Sequence, residues 1–298
     1  MKVMKVFYIS LLVIFLLFLL FLTIRKDNNV TKDNYVTVNI KGRLGNQLFE
    51  IISMWAYAKR NNINFVLKEC YIDDLKYYKD KTKRFIKNNI ETIKTPNNEK
   101  KINLDIYANI RDNKKICNLV KNGTNVFIDS HLQNANNFNE YREEILRKFF
   151  NIVEVRKPNN KFFIHIRLTD FNTSPEHILN LNNYYKKAVE YIYSKIDVTN
   201  TIFYIISDDP ENAQKEEFLT LLPQSSLIFV DNKEYDEIKT LDLFKECCSG
   251  GIMGHSTFAW WGAYIINCPE KIVVCPNKFL NKDYDYSGLY LNYKIIDV

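Results

Sequence analysis

A chain of 298 residues, 46% hydrophobic and 26% charged, holds one large domain or two modest ones and is too apolar for extended disorder. A peptide hormone, a knottin and a collagen are excluded. Lys and Arg exceed Asp and Glu by 41 to 35, a mild surplus that suits an anionic small ligand; with no basic block and no RNA-binding aromatic motif, nucleic acid is not expected as a partner.

Val6 to Ile24 runs nineteen residues without a charge. At 1.5 Å per residue it spans about 28 Å, close to a hydrocarbon core of roughly 30 Å. Arg25 and Lys26 follow where a cleaved signal peptide would place small residues, so a signal anchor is expected over a cleaved signal. Lys2 and Lys5 give a slim bias toward a cytoplasmic tail at 1–5. The expectation is a single-pass type II membrane protein, with a polar stem at 25–35 and the remainder luminal or extracytoplasmic, Golgi-like in a eukaryotic or virus-infected cell. Six cysteines would suit such a compartment, but their spacing shows neither a metal site nor a dense disulfide framework, and small buried hydrophobes serve equally well. Sequons stand at Asn29, Asn122 and Asn172.

From Tyr35 the pattern becomes that of a folded domain. Val36 to Ile40 reads as a strand, and Gly42-x-x-Gly45 as a turn. The apolar spacing of Leu48, Ile51, Ile52, Trp55 and Ala58 makes 47–59 a helix. Residues 68–125 are polar and aperiodic, and little is assigned there. A strand at 127–129 and a helix at 140–150 close the first half, taken as 36–157. Pro158 to Lys161 carries turn residues and marks the linker into the second half, 158–298. Strands at 162–165, 202–206, 227–230, 251–254 and 271–274 then alternate with helices at 184–194, 213–219, 237–247 and 256–266. Such alternation predicts a parallel sheet with helices on both faces, and ligands beyond the carboxyl ends of the strands.

The residues that follow the strands are therefore the candidates for chemistry. Gly42, Arg43, Gly45, Asn46 and Gln47 follow the first strand. There, glycines allow close backbone approach and the next helix offers N–H groups to an anion; an ordinary tight turn fits as well. His165 and Arg167 end the strand that opens the second half, where a guanidinium suits a phosphate pair; His165 by itself fits a packed residue. Ser207, Asp208 and Asp209 follow the next strand, the carboxylates placed either to contact sugar hydroxyls or to start a helix. His255, Ser256, Thr257 and Phe258 open a helix whose hydroxyls and N–H groups suit a phosphate. Trp260 and Trp261 cannot share one helix face, so one is expected inward and the other at the border of a sugar site. Asp242 is placed either to contact a nucleotide or to cap its helix.

In this order, GRLGNQLF at 42–49, FIDSHLQNANNF at 127–138, HIRLTD at 165–170, ISDD at 206–209 and DLFKECCSGGIMGHSTFAWWGAYI at 242–265 resemble the family 11 glycosyltransferases, the α1,2-fucosyltransferases that use GDP-fucose. The resemblance covers about 36–280. It implies an α/β, GT-B-like fold, two Rossmann-like halves facing a cleft, with the C-terminal half holding the GDP-sugar and the N-terminal half facing the acceptor. It further implies an inverting, metal-independent transfer of L-fucose to a galactoside hydroxyl in an α1,2 linkage, with a GDP-sugar donor, a glycan acceptor and no cofactor. The only Asp-x-Asp, Asp283-Tyr-Asp285, lies in a polar stretch that reads as a surface loop. Arg167 takes the role of the first arginine in the family's HxRRGD motif, but Leu168 and Thr169 stand where the second arginine and the glycine usually are. A different GDP-sugar, or an inactive anchored glycan-binding protein, are therefore the alternatives. Asp170, with Glu176 and His177, is a candidate base; Arg167, Asp170 and His165 form the expected catalytic set.

Overall fold

The structure, a computed structural model, describes residues 34–298 except 77, 88, 95–97 and 170–174. The expected tail and anchor, nearly all of the stem, the sequons at Asn29 and Asn172, and Asp170 lie outside the described residues. Among those described, no helix is long and apolar enough to cross a membrane.

In the first half, β1 (Tyr35–Val38) is buried at every position and takes in Tyr35, the last residue assigned to the stem. Helix α1 (Leu44–Asn61) is longer than expected at both ends and stops where Asn62 turns left-handed. The polar stretch then forms β2 (Asn64–Lys68), α2 (Glu69–Asp73), α3 (Lys79–Ile86), β3 (Glu91–Ile93), β4 (Glu99–Asn103) and α4 (Lys114–Lys121). Next come β5 (Asn125–Asp129) and α5 (Arg142–Phe150). The sheet is parallel throughout, in the order β3-β2-β1-β5-β4. Its two edges, β3 and β4, are exposed and charged. That polarity protects open strand edges and also hides them from a periodicity test.

The second half contains β6 (Lys161–Ile166), α6 (Asn182–Tyr193), β7 (Ile202–Ser207), α7 (Pro210–Ala213), β8 (Leu227–Phe229), α8 (Glu237–Glu246) and β9 (Gly250–Ile252). It ends with α9 (Thr257–Ile265), β10 (Ile272–Pro276), α10 (Ser287–Tyr290) and β11 (Lys294–Ile296). This sheet is also parallel, ordered β11-β10-β9-β6-β7-β8. Two parallel α/β sheets fit a GT-B-like architecture. The single helix expected at 213–219 is instead α7 and a separate 3₁₀ turn at Glu217–Leu221, broken by extended backbone at Glu216. The break lets Phe218 stack on Tyr185 at 4.4 Å between ring centroids.

β6 divides its side chains in the period-2 manner of a strand. Phe162, Ile164 and Ile166 join a core under α6, whereas Phe163 joins a second core that continues into the first half. That shared core is built around α9. Both tryptophans are wholly buried, which corrects the expectation that one would border a sugar site. Trp260 Nε1 donates to the Leu289 carbonyl at 2.7 Å, and Trp261 Nε1 donates to the Gly45 carbonyl at 3.0 Å while its ring stacks on Phe138. A helix apolar on all sides is buried on all sides, and α9 lies between the halves. None of the six cysteines is in a disulfide; all but Cys70 are buried.

Candidate active site between the halves

Strand order locates the site before any side chain is considered. In an open parallel sheet, ligands lie beyond the carboxyl ends of the strands where the order reverses. The first sheet reverses between β1 and β5, the second between β6 and β9. The segments leaving these strands carry Gly42 and Arg43, His131, Arg167, and His255 to Thr257. The two reversal points meet. Thr257 Oγ1, in the first turn of α9, donates to Asn46 Oδ1 in the first turn of α1 at 2.8 Å, and Gln133 Nε2 donates to the same oxygen at 3.1 Å.

Arg167 is nearly buried and held by Asp208, with Nη1 3.2 Å from Oδ2. The same carboxylate accepts from the Leu168 N–H at 2.9 Å, the Thr169 N–H at 3.2 Å and the Thr169 hydroxyl. Burial works against the Asp208 charge, but the Thr169 hydroxyl, Arg167 and the two N–H groups hold its pKa below the usual carboxylate range. The Asp208-Asp209 pair divides two roles: Asp208 orients the arginine, and Asp209 caps α7 by accepting from the Asn212 N–H at 3.1 Å. Ser207 Oγ accepts from the Asp209 N–H at 3.1 Å and steadies that turn.

A second guanidinium comes from the other half. Tyr78, on the loop before α3, is close enough to both Arg43 and Arg167 for each charge to act on its phenol, whose pKa burial and Glu237 raise and the two arginines pull down. Lys81 of α3 pairs with Glu237 and, at 3.6 Å, with Asp236. An ion pair thus joins the halves beside the arginines.

The remaining sequence candidates lie in the turns and helix starts around this seam. Gly42 has φ of +73°, which glycine adopts without strain. Gly45 is required by the close approach of α9: a Cβ there would lie 2.6 Å from the Phe258 nitrogen and from Thr257 Oγ1. Gln47 is buried and ties the turn to α3, donating to the Gly42 carbonyl at 2.9 Å and accepting from the Thr82 hydroxyl. Ser256 is the N-cap of α9, its Oγ accepting from the Phe258 N–H at 3.2 Å, while its own N–H is bonded to the Gly254 carbonyl at 2.8 Å. Of the N–H groups expected to meet a phosphate, those of Ser256 and Phe258 are thus already committed. His255 is buried with Nε2 3.2 Å from the His177 carbonyl.

His165 is 4% exposed and packs against Gly254 and Phe258. Burial, then the charge of Arg167, pushes its pKa down to about 3, so it sits as a neutral packed ring. Asp242 is not brought to the strand ends. It pairs with Lys245 at 2.7 Å and lines a separate crevice of about 230 Å³ with Arg84 and Leu241; the cap of α8 is Asp236, which accepts from the Ile238 and Lys239 N–H groups. Glu176 pairs with Lys282 at the surface, and Asp283 with Lys278. No group of three or more His, Cys, Asp or Glu among the described residues is arranged to hold a metal ion.

Sequence reading missed one pair. His131 Nδ1 lies 2.7 Å from Glu50 Oε1, and Glu50 Oε2 accepts from the Lys41 N–H at 2.9 Å. Glu50 is completely buried, whereas about a fifth of the His131 side chain is exposed. Lys41 Nζ in turn pairs with Asp129, which Lys101 also holds, at 2.7 and 2.8 Å.

The profile of glycosyl transferase family 11 matches residues 8–290. The chain belongs to this family. Among its relatives, the O-antigen biosynthesis glycosyltransferase WbnK of Escherichia coli is 32% identical over 184 residues, 55% of this chain and 58% of WbnK, so the match spans under two thirds of that protein. The α1,2-colitosyltransferase of Escherichia coli is 24% identical, over 83% of this chain and 93% of that one. Among solved structures, POFUT1 in complex with GDP aligns at 13% identity and TM-score 0.46, covering 82% of this chain and 98% of that one. The fucosyltransferase NodZ from Bradyrhizobium aligns at 12% and 0.42, covering 78% and 92%. As a family 11 member the chain is a glycosyltransferase. The motif stretches at 42–49, 165–170 and 242–265 fall inside the matched region.

Proposed function

We propose that the protein transfers L-fucose from GDP-fucose to a galactoside hydroxyl with inversion, forming an α1,2 linkage, and that protein cations rather than a metal ion meet the diphosphate. The observation that carries this is Arg167 just past the carboxyl end of β6, at the reversal point of the second sheet, its guanidinium held 3.2 Å from Asp208. As the sugar leaves, negative charge grows on the β-phosphate oxygen. A cation already oriented there favours the transition state over the ground state, and each gain of about 1.4 kcal/mol is a factor of about ten in rate. Asp208 supplies the orientation, since its carboxylate fixes Arg167 and is itself fixed by the chain after β6. The acceptor hydroxyl attacks the anomeric carbon from the opposite face, which places the acceptor toward the N-terminal half.

The test is calorimetric titration of the protein with GDP, and turnover of GDP-fucose with a β-galactoside, with and without EDTA. Arg167→Ala should lower kcat/KM by about a hundred- to a thousandfold. Unchanged turnover in that variant, or its abolition by EDTA, refutes the mechanism. A second reading, a different GDP-sugar, draws support from the relative named for colitosyl transfer and from Leu168 and Thr169, whose N–H groups wrap Asp208 where the family usually has arginine and glycine. GDP-colitose assayed beside GDP-fucose distinguishes the two by kcat/KM. Acceptor binding without GDP affinity would instead indicate a glycan-binding protein. Membrane anchoring through 6–24, with the enzyme domain extracytoplasmic, is part of the proposal, and carbonate extraction of membranes from expressing cells tests it.

A further inference from the structure

The reversal point of the first sheet, between β1 and β5, carries a histidine whose two ring nitrogens have different surroundings. Nδ1 is fixed at 2.7 Å from Glu50 Oε1. Glu50 is fixed in turn, because its second oxygen accepts the Lys41 N–H at 2.9 Å and the side chain is wholly buried in α1. Nε2 has no hydrogen-bond partner within the chain among the described residues and belongs to a side chain that remains about a fifth exposed. His131 is the second residue past the strand end that the sheet order marks for a ligand, and two residues further on Gln133 bonds Asn46, which bonds Thr257 of the other half.

A nucleophile's base needs such an arrangement: one nitrogen held by a buried carboxyl group, the other left for the substrate. We propose that His131 is the general base of the transfer, with Glu50 as its positioning residue; the assignment rests on the glycosyl-transfer reading above. In the step, the acceptor oxygen bonds to the anomeric carbon as the bond from that carbon to the diphosphate oxygen breaks, its electron pair leaving with GDP. The acceptor's proton passes to His131 Nε2. In the tautomer this step needs, Nδ1–H faces Glu50 Oε1 at 2.7 Å, so that Glu50, which also accepts the Lys41 N–H, lies directly beside the imidazolium that forms. The titratable groups facing the ring are Glu50 from α1, whose pKa burial raises well above the usual carboxylate value, Lys41 from the loop before it and Asp129 from β5, the last held also by Lys101 from β4. Burial, then the Lys41 charge, brings the ring's pKa to about 4, which keeps it unprotonated and ready to accept at neutral pH.

The experiment uses the full chain with GDP-fucose and a β-galactoside, comparing wild type, His131→Gln, His131→Gly and Glu50→Gln. His131→Gln should lower kcat by about a hundredfold or more while GDP affinity, read by calorimetry, stays within about threefold. Added imidazole should restore part of the rate to His131→Gly, a rescue that a purely structural role does not give. Glu50→Gln has one acceptor oxygen for two N–H donors, and should lower kcat by about tenfold or more with the galactoside KM within about threefold. A His131→Gln variant with kcat near wild type, or one that loses GDP binding in step with rate, overturns the assignment alone. Wild type that neither binds GDP nor transfers fucose overturns the donor reading and this one with it.

Discussion

Asp208 receives three donors from the segment after β6 and a fourth contact from Arg167, so its negative charge sets where that guanidinium points. Asp208→Asn keeps the shape but removes the charge. It should raise the KM for GDP-fucose and lower kcat/KM by about ten- to a hundredfold, less than Arg167→Ala, as initial rates across donor concentration will show. Arg167 was legible because a histidine and an arginine spaced by one residue at the end of a buried strand leave few uses for the charge. The double carboxylate at 208–209 was legible only as a choice between two roles, and folding assigns one role to each residue. His131 and Glu50 were not legible. They lie 81 positions apart and meet only because β5 pairs beside β1, a neighbour relation that no local pattern encodes.

Helix α9 is the element on which both halves depend, and two of its contacts give separate tests. Ser256→Ala removes the cap on the Phe258 N–H and should cost about 1 kcal/mol of stability. Gly45→Ala drives a methyl into the backbone of α9 and should cost about 1–3 kcal/mol, with loss of activity as the reversal points separate. Urea unfolding measures both, and a Gly45→Ala protein as stable as wild type would show that the helix yields easily. The regular alternation of the second half was readable because its central strands are buried on both faces and its helices carry full apolar stripes. The stretch from 68 to 125 was not, for a physical reason. α3 buries little besides Thr82, Phe85 and Ile86, and β3 and β4 are exposed sheet edges, so neither produces a long apolar period.

For the molecule as a whole, two expectations concern stability. His165 and His131 are held below the usual histidine value of 6.5, at about 3 and about 4, each chiefly by burial. Their unfolded forms bind more protons, so the stability tied to them is complete above about pH 6.5 and is lost as pH falls through those values. Asp208 acts in the same direction, whereas Glu50, raised by burial, acts in the opposite one. The thermal midpoint should therefore drop between about pH 6.5 and about pH 4, and a flat profile across that window would contradict the neutral packed histidines. GDP at a hundredfold excess over its Kd should stabilise the fold by about 2.7 kcal/mol, seen as a rise in Tm that Arg167→Ala reduces.

The residues between α5 and β6 run exposed across the surface, with Val153 and Val155 among the most open apolar side chains. A protease would find this stretch first. Because Trp260, Trp261 and Phe49 interlock across the division, scission there should yield two fragments that travel together on a sizing column, and neither piece produced alone should remain soluble. The two sheets read as separate units along the chain, yet in solution they should behave as one indivisible body.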